Sequence, residues 1–500
     1  MAAAAHAQTR TAVPAGPLTL EQALDLARDG GESIGIARQG IRRAEREQIR
    51  ARSGLFPQLS LSASYDRALA SEFDEIFRNF ADGGNGQDAS GFEDLPFGRA
   101  NTWRVSLGLS QNLFSGDRLG AQGALAAVGR ETAGLALTTA EALLLFDVTQ
   151  AYYDAALSDR LVDIAEATVE QASATLRQAE AAFHAGAQPE FEVLRARVSR
   201  DTQSPVLIRQ RVNREVVLLR LKQMLGLPAG ADLRLAAALA DDVLPPPPVF
   251  ASRVAAVEAR IGAADAIQVL LRSDAPLTDR IAVQGAAAEV RLREAALRAA
   301  EAERRPSVSL VSTYGRVSYP NGPLWGFDGL RTNWTVGATM QVPLLTGGRQ
   351  REDERIAETN LEEARLRLRQ ADELAALETR SAWAELLAAR AAWQATAGTV
   401  QQASRAYEIA DVRYRAGVST QLELSDARLL LQQAEANRAQ AARDVQIARA
   451  RVALLPDLPL GAGGGGTGQP RVPVPVPPLA GGQVRNASVQ GGAQQFGGQP

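Results

Sequence analysis

Trp103-Arg-Val-Ser-Leu-Gly-Leu109 returns as Trp334-Thr-Val-Gly-Ala-Thr-Met340, 231 residues further along the chain. The same shift, held without a gap from residue 103 to residue 228, carries Phe114-Ser-Gly-Asp-Arg118 onto Leu345-Thr-Gly-Gly-Arg349. It also carries Phe183-His-Ala-Gly186 onto Tyr414-Arg-Ala-Gly417, and Leu227-Pro228 onto Leu458-Pro459. Self-similarity of this reach makes the chain a tandem duplication, so one unit has to be built twice. Upstream, Pro57-Gln-Leu-Ser-Leu-Ser-Ala-Ser-Tyr65 pairs with Pro306-Ser-Val-Ser-Leu-Val-Ser-Thr-Tyr314 at a shift of 249. The loop that follows is therefore 18 residues longer in the first copy, a difference that surface loops tolerate.

Each copy holds two segments that read as strands. Leu59, Leu61, Ala63 and Tyr65 alternate with polar residues, as do Val105, Leu107 and Leu109. Val308, Leu310, Ser312 and Tyr314 share a face in the second copy, and so do Trp334, Val336, Ala338, Met340 and Val342. Each segment has about 10 residues, enough for a tilted strand to cross a bilayer. Tyr65, Trp103, Tyr314, Tyr319, Trp325 and Trp334 gather near the strand ends, where an interfacial aromatic belt would lie. A soluble sheet with one buried face has the same alternation, and the pattern alone leaves both open. In a membrane, four strands are too few to close a barrel, and open edges are not tolerated there, so such a chain has to oligomerise.

From Asp117 to His184 no Pro interrupts a helix-favouring sequence, and nearly 70 residues would reach about 100 Å at the α-helical rise. Steps of four and three from Leu137 run through Glu141, Leu144, Val148, Ala151 and Ala155 to Phe183, a coiled-coil seam rich in Ala. The shifted copy runs from Leu368 to Tyr414, and even the acidic interruption recurs, as Glu141 and Asp372. A helix returns after each Gly, over 189–226 and 420–455. Pro205 is expected to kink or break the first of these. The expected division is a flexible N-terminal segment (1–17), a first repeat (18–228), an inter-repeat linker containing Pro245-Pro-Pro-Pro248 (229–275), a second repeat (276–460), and a disordered Gly/Pro-rich tail (461–500).

Composition narrows the chemistry. With 46% hydrophobic and 22% charged residues the chain has the make-up of an ordered protein. Net charge is −3, and all 54 basic residues but Lys222 are Arg, spread among acids rather than gathered on one face, which argues against a nucleic-acid partner. There is no Cys, so thiolate chemistry, disulfides and an acylated N-terminal Cys are excluded. The two histidines, His6 and His184, are far apart. No run of 18 apolar residues suggests a membrane helix, a test to which barrel strands are blind. Met1-Ala-Ala-Ala-Ala-His-Ala-Gln8 fits either the small-residue end of a secretory signal or a plain Ala-rich start.

A duplicated unit of helix, strand, strand, long helix, sharp Gly turn and returning helix resembles the TolC family of outer-membrane efflux ducts over residues 18–460. The resemblance is carried by Leu18-Thr-Leu-Glu-Gln-Ala-Leu24, by the strand starts Phe56-Pro-Gln-Leu59 and Arg305-Pro-Ser-Val308, and by the tips Phe183-His-Ala-Gly-Ala-Gln-Pro-Glu-Phe-Glu192 and Arg413-Tyr-Arg-Ala-Gly-Val-Ser-Thr-Gln-Leu-Glu423. It implies a mainly α fold with a small membrane β-barrel. Three chains would close a 12-stranded barrel on a 12-helix tunnel in the outer membrane of a Gram-negative bacterium, extending into the periplasm. It also implies a periplasmic adaptor (membrane fusion) protein and an inner-membrane transporter of RND or ABC type as partners, with no cofactor, no metal and no catalysis.

By the same resemblance Gly186, Ala187, Gln188, Gly417, Val418 and Ser419 are adaptor-contact candidates; the alternative is a plain helix cap. Glu192 and Tyr414 match a pair that links neighbouring tip helices, whereas Ser419 stands where some relatives carry a linking Arg. Glu423 and Asp426, three apart on a helix, can point together into a narrow bore with Glu192, unless all three are an ordinary solvated face. The function expected is a passive exit duct for small molecules such as drugs. Its rivals are the exit duct of a type I protein secretion system, which shares the fold, and a periplasmic coiled-coil adaptor or scaffold.

Overall fold

A computed structural model describes residues 16–70, 101–237, 239, 243–262, 267–268, 280–320 and 330–461. Most of the N-terminal segment, the long first-copy loop, Trp325, parts of the linker and nearly all of the tail lie outside them.

Two short helices open the first copy: α1 (Leu20–Gly30) and α2 (Glu32–Ser53). Thr19 caps α1 reciprocally, its Oγ1 accepting from Gln22 N–H while its own N–H donates to Gln22 Oε1. Then come β1 (Gln58–Arg67), β2 (Asn101–Phe114), the 67-residue α3 (Arg118–His184) and α4 (Glu190–Met224). A linker helix, α5 (Ala251–Ile261), leads to the second copy: α6 (Ile281–Ala302), β3 (Ser307–Ser318), β4 (Arg331–Gln341), α7 (Arg349–Arg415, again 67 residues) and α8 (Gln421–Leu454).

Pro205 lies inside α4, which continues through it and is not broken. Its ring is exposed. The missing hydrogen bond and the clash cost about 3 kcal/mol, and a 35-residue helix packed along α3 spreads that over many contacts.

The four strands form one antiparallel sheet in the order β1-β2-β3-β4. Partners in register share a face, so Leu59–Leu109, Leu61–Leu107 and Ala63–Val105 continue into Leu310–Ala338, Ser312–Val336 and Val308–Met340. That face is apolar and open to the outside, with Leu59, Leu61, Val336 and Met340 all more than 60% exposed. The other face carries Ser60, Ser62, Ser64, Ser106, Gly108, Thr313, Gly315 and Thr335, with Ser62 Oγ and Ser106 Oγ 2.8 Å apart. The aromatics occupy two rungs: Tyr65 packs on Trp103 at 4.6 Å, and Tyr314 on Trp334 at 6.4 Å, four register positions along β3.

The largest core lies midway along the long helices. Leu18, Leu24, Val148, Tyr152, Leu221, Leu225, Phe250, Val254 and Val445 meet there. Leu18 pairs in parallel with Leu235, and the Tyr152 hydroxyl donates to Leu18 O at 2.9 Å. Linker carbonyls are held by α8: Arg449 donates to Leu244 O and Gln446 to Pro245 O. Arg280, 3% exposed, pairs with Glu378 at 3.1 Å and reaches Leu458 O. One stretch of α3 is long and apolar enough to cross a bilayer by composition. Along its whole length α3 packs on α1, α2, α4, α6 and α8.

Candidate functional site at the hairpin tips

Both long helices end in the same way. Gly186 (φ 75°) and Gly417 (φ 73°) take the left-handed conformation that stops a helix. In the first tip Gly186 N–H donates to Phe183 O and Ala187 N–H to Ala182 O. In the second, Gly417 N–H donates to Tyr414 O and Val418 N–H to Arg413 O. These are the paired bonds of a Schellman motif, so the orphan carbonyls of each helix end are satisfied within the turn. Gly186, Ala187, Gly417 and Val418 are exposed, and Gln188 and Ser419 half-buried.

The return helices start differently. Thr420 caps α8 by accepting from Glu423 N–H, whereas Pro189 precedes α4 with no side-chain cap. Ser419 Oγ donates to Glu423 Oε2 at 2.5 Å, and Arg413 Nη1 stands 3.9 Å from the same oxygen. Asp426, also exposed, has neither an ion pair nor a hydrogen bond among the described residues. The two second-copy carboxylates therefore differ: Glu423 is engaged and Asp426 is free.

Tyr414 and Glu192 are brought together but not joined. Tyr414 is 3% exposed; burial, and next the Glu192 carboxylate, push its hydroxyl above the ordinary phenol range, opposed by Gln188 and Arg428. Tyr414 Oη, Gln188 Oε1 and Glu192 Oε2 are buried atoms without a well-formed hydrogen bond. Two further residues in this seam escaped the sequence reading. Arg428, 6% exposed, donates from Nη2 to Thr175 Oγ1 at 2.8 Å, and Gln421 is 1% exposed. The available signal was the 3–4 spacing of Gln421, Leu424 and Arg428, which puts both polar residues on the same face as a buried Leu. Among the described residues no cluster of His, Cys, Asp and Glu is arranged to hold a metal. What the tips offer is charge, amide and hydroxyl groups that attract, repel and hold.

A profile of the family described as "Outer membrane efflux protein" matches residues 23–227 and 274–469. Solved structures share the fold at low identity. The CmeC outer membrane channel of Campylobacter jejuni superposes with a TM-score of 0.69 at 18% identity, over 88% of this chain and 86% of that one. VceC of Vibrio cholerae gives 0.67 at 17%, over 87% and 95%. The open state of the MtrE outer membrane channel of Neisseria gonorrhoeae gives 0.66 at 18%, over 91% and 95%. Among curated proteins none matches significantly by sequence.

Proposed function

The chain belongs to the outer membrane efflux protein family, whose members are channels rather than enzymes, and we propose that three copies form a passive exit duct for small molecules such as drugs. The observation that carries the reading is the sheet. It is apolar across one face and small and polar across the other, and both its outer edges, on β1 and β4, lack a partner strand among the described residues. Only closure satisfies such edges in lipid, and three sheets of four strands reach the size of a membrane barrel. The small polar face then lines a water-filled bore.

The helices support the same stoichiometry. Leu194, Val198, Ile208, Val212, Val216 and Leu219 form a stripe along α4 that is 44–65% exposed in one chain. A stripe of that length marks an interface, and a neighbouring copy's α7, with exposed Ile356, Leu366, Leu377 and Ile409, is the apolar surface that fits it. In this reading the helices extend into the periplasm, the exposed Gly turns receive a periplasmic adaptor, and an inner-membrane transporter of RND or ABC type supplies substrate and energy. Glu192, Tyr414, Glu423 and Asp426 guard the aperture at the tips.

Outer-membrane extracts of cells producing the chain should contain heat-dissociable trimers that conduct ions in planar bilayers. A monomer that stays in the aqueous phase without detergent would sink the duct. Deleting the chain from its host should raise the intracellular level of small toxic compounds and leave polypeptide secretion unchanged. The reverse pattern would favour the type I secretion duct.

A further inference from the structure

A cavity of about 230 Å³ opens between α3 and α4. Its α3 wall carries Asp147, Asp154, Leu157 and Leu161, and its α4 wall carries Arg220 and Met224. These positions recur at spacings of three, four and seven residues, so each set occupies one face of its helix. The helix faces turned away from the cavity are core: Val148, Tyr152 and Ala155 of α3 and Leu218, Leu221 and Leu225 of α4 pack with Leu18 and with Leu235 and Leu244 of the linker. The 231-residue shift supplies an internal comparison. In the second copy the carboxylates matching Asp147 and Asp154 are Glu378 and Glu385. Arg280 answers the first at 3.1 Å, and Arg451, the counterpart of Arg220, answers the second across α7 and α8. In the first copy Asp154 is taken instead by Arg443 of α8, at 2.6 Å. Arg220 is thereby left without that partner, and no guanidinium stands within ion-pair distance of Asp147 among the described residues. The wall differs too, with Ala388 and Ala392 in the places of Leu157 and Leu161.

Resting on the trimeric duct above, we propose that this cavity is a binding station in the bore for organic cations with an apolar body, the positive group set against Asp147 and the body against Leu157, Leu161 and Met224. Twelve helices with axes about 8–10 Å apart close a tube whose bore is roughly 20–30 Å wide. Three linkers packed on the inside would plug it. The linker therefore belts the outside, and the cavity, turned away from the linker, faces the bore. Val212, Val216 and Leu219, proposed above as part of the contact with a neighbouring copy, lie on a third face of α4 and leave the cavity open. Asp147 favours a cation for a physical reason. Burial between the helices pushes its carboxyl above the ordinary range, and the Arg220 guanidinium opposes this from beyond contact distance. A ligand that brings a positive charge into contact offsets that desolvation. The cavity is smaller than the roughly 300 Å³ at which pockets for drug-sized ligands begin, so binding is weak, as conduction requires of any site along a pore. The second copy, with both carboxylates answered and alanines on the wall, offers no equivalent, so each trimer holds three stations.

Saturation-transfer NMR on the purified protein in non-ionic detergent tests the assignment, with benzyltrimethylammonium as the probe and benzoate as its anionic counterpart. The parent should bind the cation and not benzoate. Asp147→Asn should weaken cation binding by at least about tenfold, the size of one lost charge interaction. Arg220→Gln removes the opposing positive charge and should strengthen it. Leu157→Ala with Leu161→Ala, which copies the wall of the second copy, should weaken benzyltrimethylammonium more than tetramethylammonium. Glu180→Gln removes an acid of α3 outside the cavity, paired there with Arg197, and should change nothing. Circular dichroism and trimer yield establish that each variant is folded, and if Asp147→Asn fails to fold, Arg220→Gln and the leucine pair carry the test. Parental cation binding in folded Asp147→Asn, an equal loss in Glu180→Gln, or binding of benzoate that Arg220→Gln abolishes overturns the station; a trimer that still conducts in planar bilayers then spares the duct. The cavity lies within one chain, so a protein that binds the cation through Asp147 yet forms neither trimer nor pore keeps the site and overturns the duct.

Discussion

Tyr152 ties the start of the first copy to the middle of α3. Its hydroxyl donates to Leu18 O, and burial, above all other causes, pushes its pKa from 10.0 up to about 12. Tyr153 beside it is raised as well, again by burial first and then by Tyr152. In the unfolded chain these phenols ionise near 10. Above that pH the unfolded state therefore holds fewer protons than the folded one, and stability falls as pH rises. The contribution of Tyr152 is complete below pH 10 and is lost by about pH 12; two pKa units correspond to roughly 2–3 kcal/mol. Tyr152→Phe should lower the midpoint of thermal unfolding at pH 8, because Leu18 O loses its buried donor. It should also flatten the fall in midpoint between pH 10 and 12, followed by circular dichroism. An unchanged alkaline slope would show that Tyr152 does not stay neutral in the folded protein.

At the scale of elements, three glycine turns separate two physical demands. Gly417 and Gly186 have positive φ and open space where a Cβ would go, so Gly417→Ala should cost only the left-handed penalty, about 1–2 kcal/mol, and leave trimers intact. Gly116 (φ 61°) joins β2 to α3 under the end of α6, where a Cβ would meet Arg305 Cβ at 2.6 Å and Ala302 O at 3.1 Å. Gly116→Ala should cost clearly more and reduce the yield of heat-dissociable trimers; equal loss from both variants would contradict the crowding at Gly116. Helices α3 and α7, their Gly stops and all four strands were legible in the sequence, because long Pro-free 3–4 spacing and strict alternation need no tertiary context. Pro205 misled because packing along α3 outweighs one missing bond. For Arg428 and Gln421 the sequence offered only a face shared with Leu424; the partner that Arg428 meets there, Thr175, lies 253 residues away in the chain and no local pattern points to it. Glu192 and Tyr414 were paired by the family resemblance, but their lack of a mutual hydrogen bond depends on side-chain placement that no sequence pattern encodes.

At the scale of the whole molecule, the proposed aperture would form only where three tips meet, and the two carboxylates proposed to guard it should not contribute equally. Glu423 already accepts a hydrogen bond from Ser419 and lies near the Arg413 guanidinium, so part of its charge is answered within the protomer. Asp426 is exposed with no such partner among the described residues. In a trimer, three unanswered carboxylates crowded into a narrow bore attract cations, multivalent ones most strongly. Asp426→Asn should therefore relieve block by a trivalent cation by at least about tenfold in concentration, the size of one lost charge interaction of roughly 1.4 kcal/mol at an effective dielectric well below that of water. Glu423→Gln should relieve it less, and Ser419→Ala, by releasing Glu423, should tighten block. All three can be read as dose–response curves of conductance in planar bilayers. Block that persists unchanged in the Asp426→Asn, Glu423→Gln double variant would remove both residues from the bore and leave the α8 start as an ordinary solvated helix face. A stronger effect from Glu423 than from Asp426 would mean that the Ser419 bond opens when the three tips assemble.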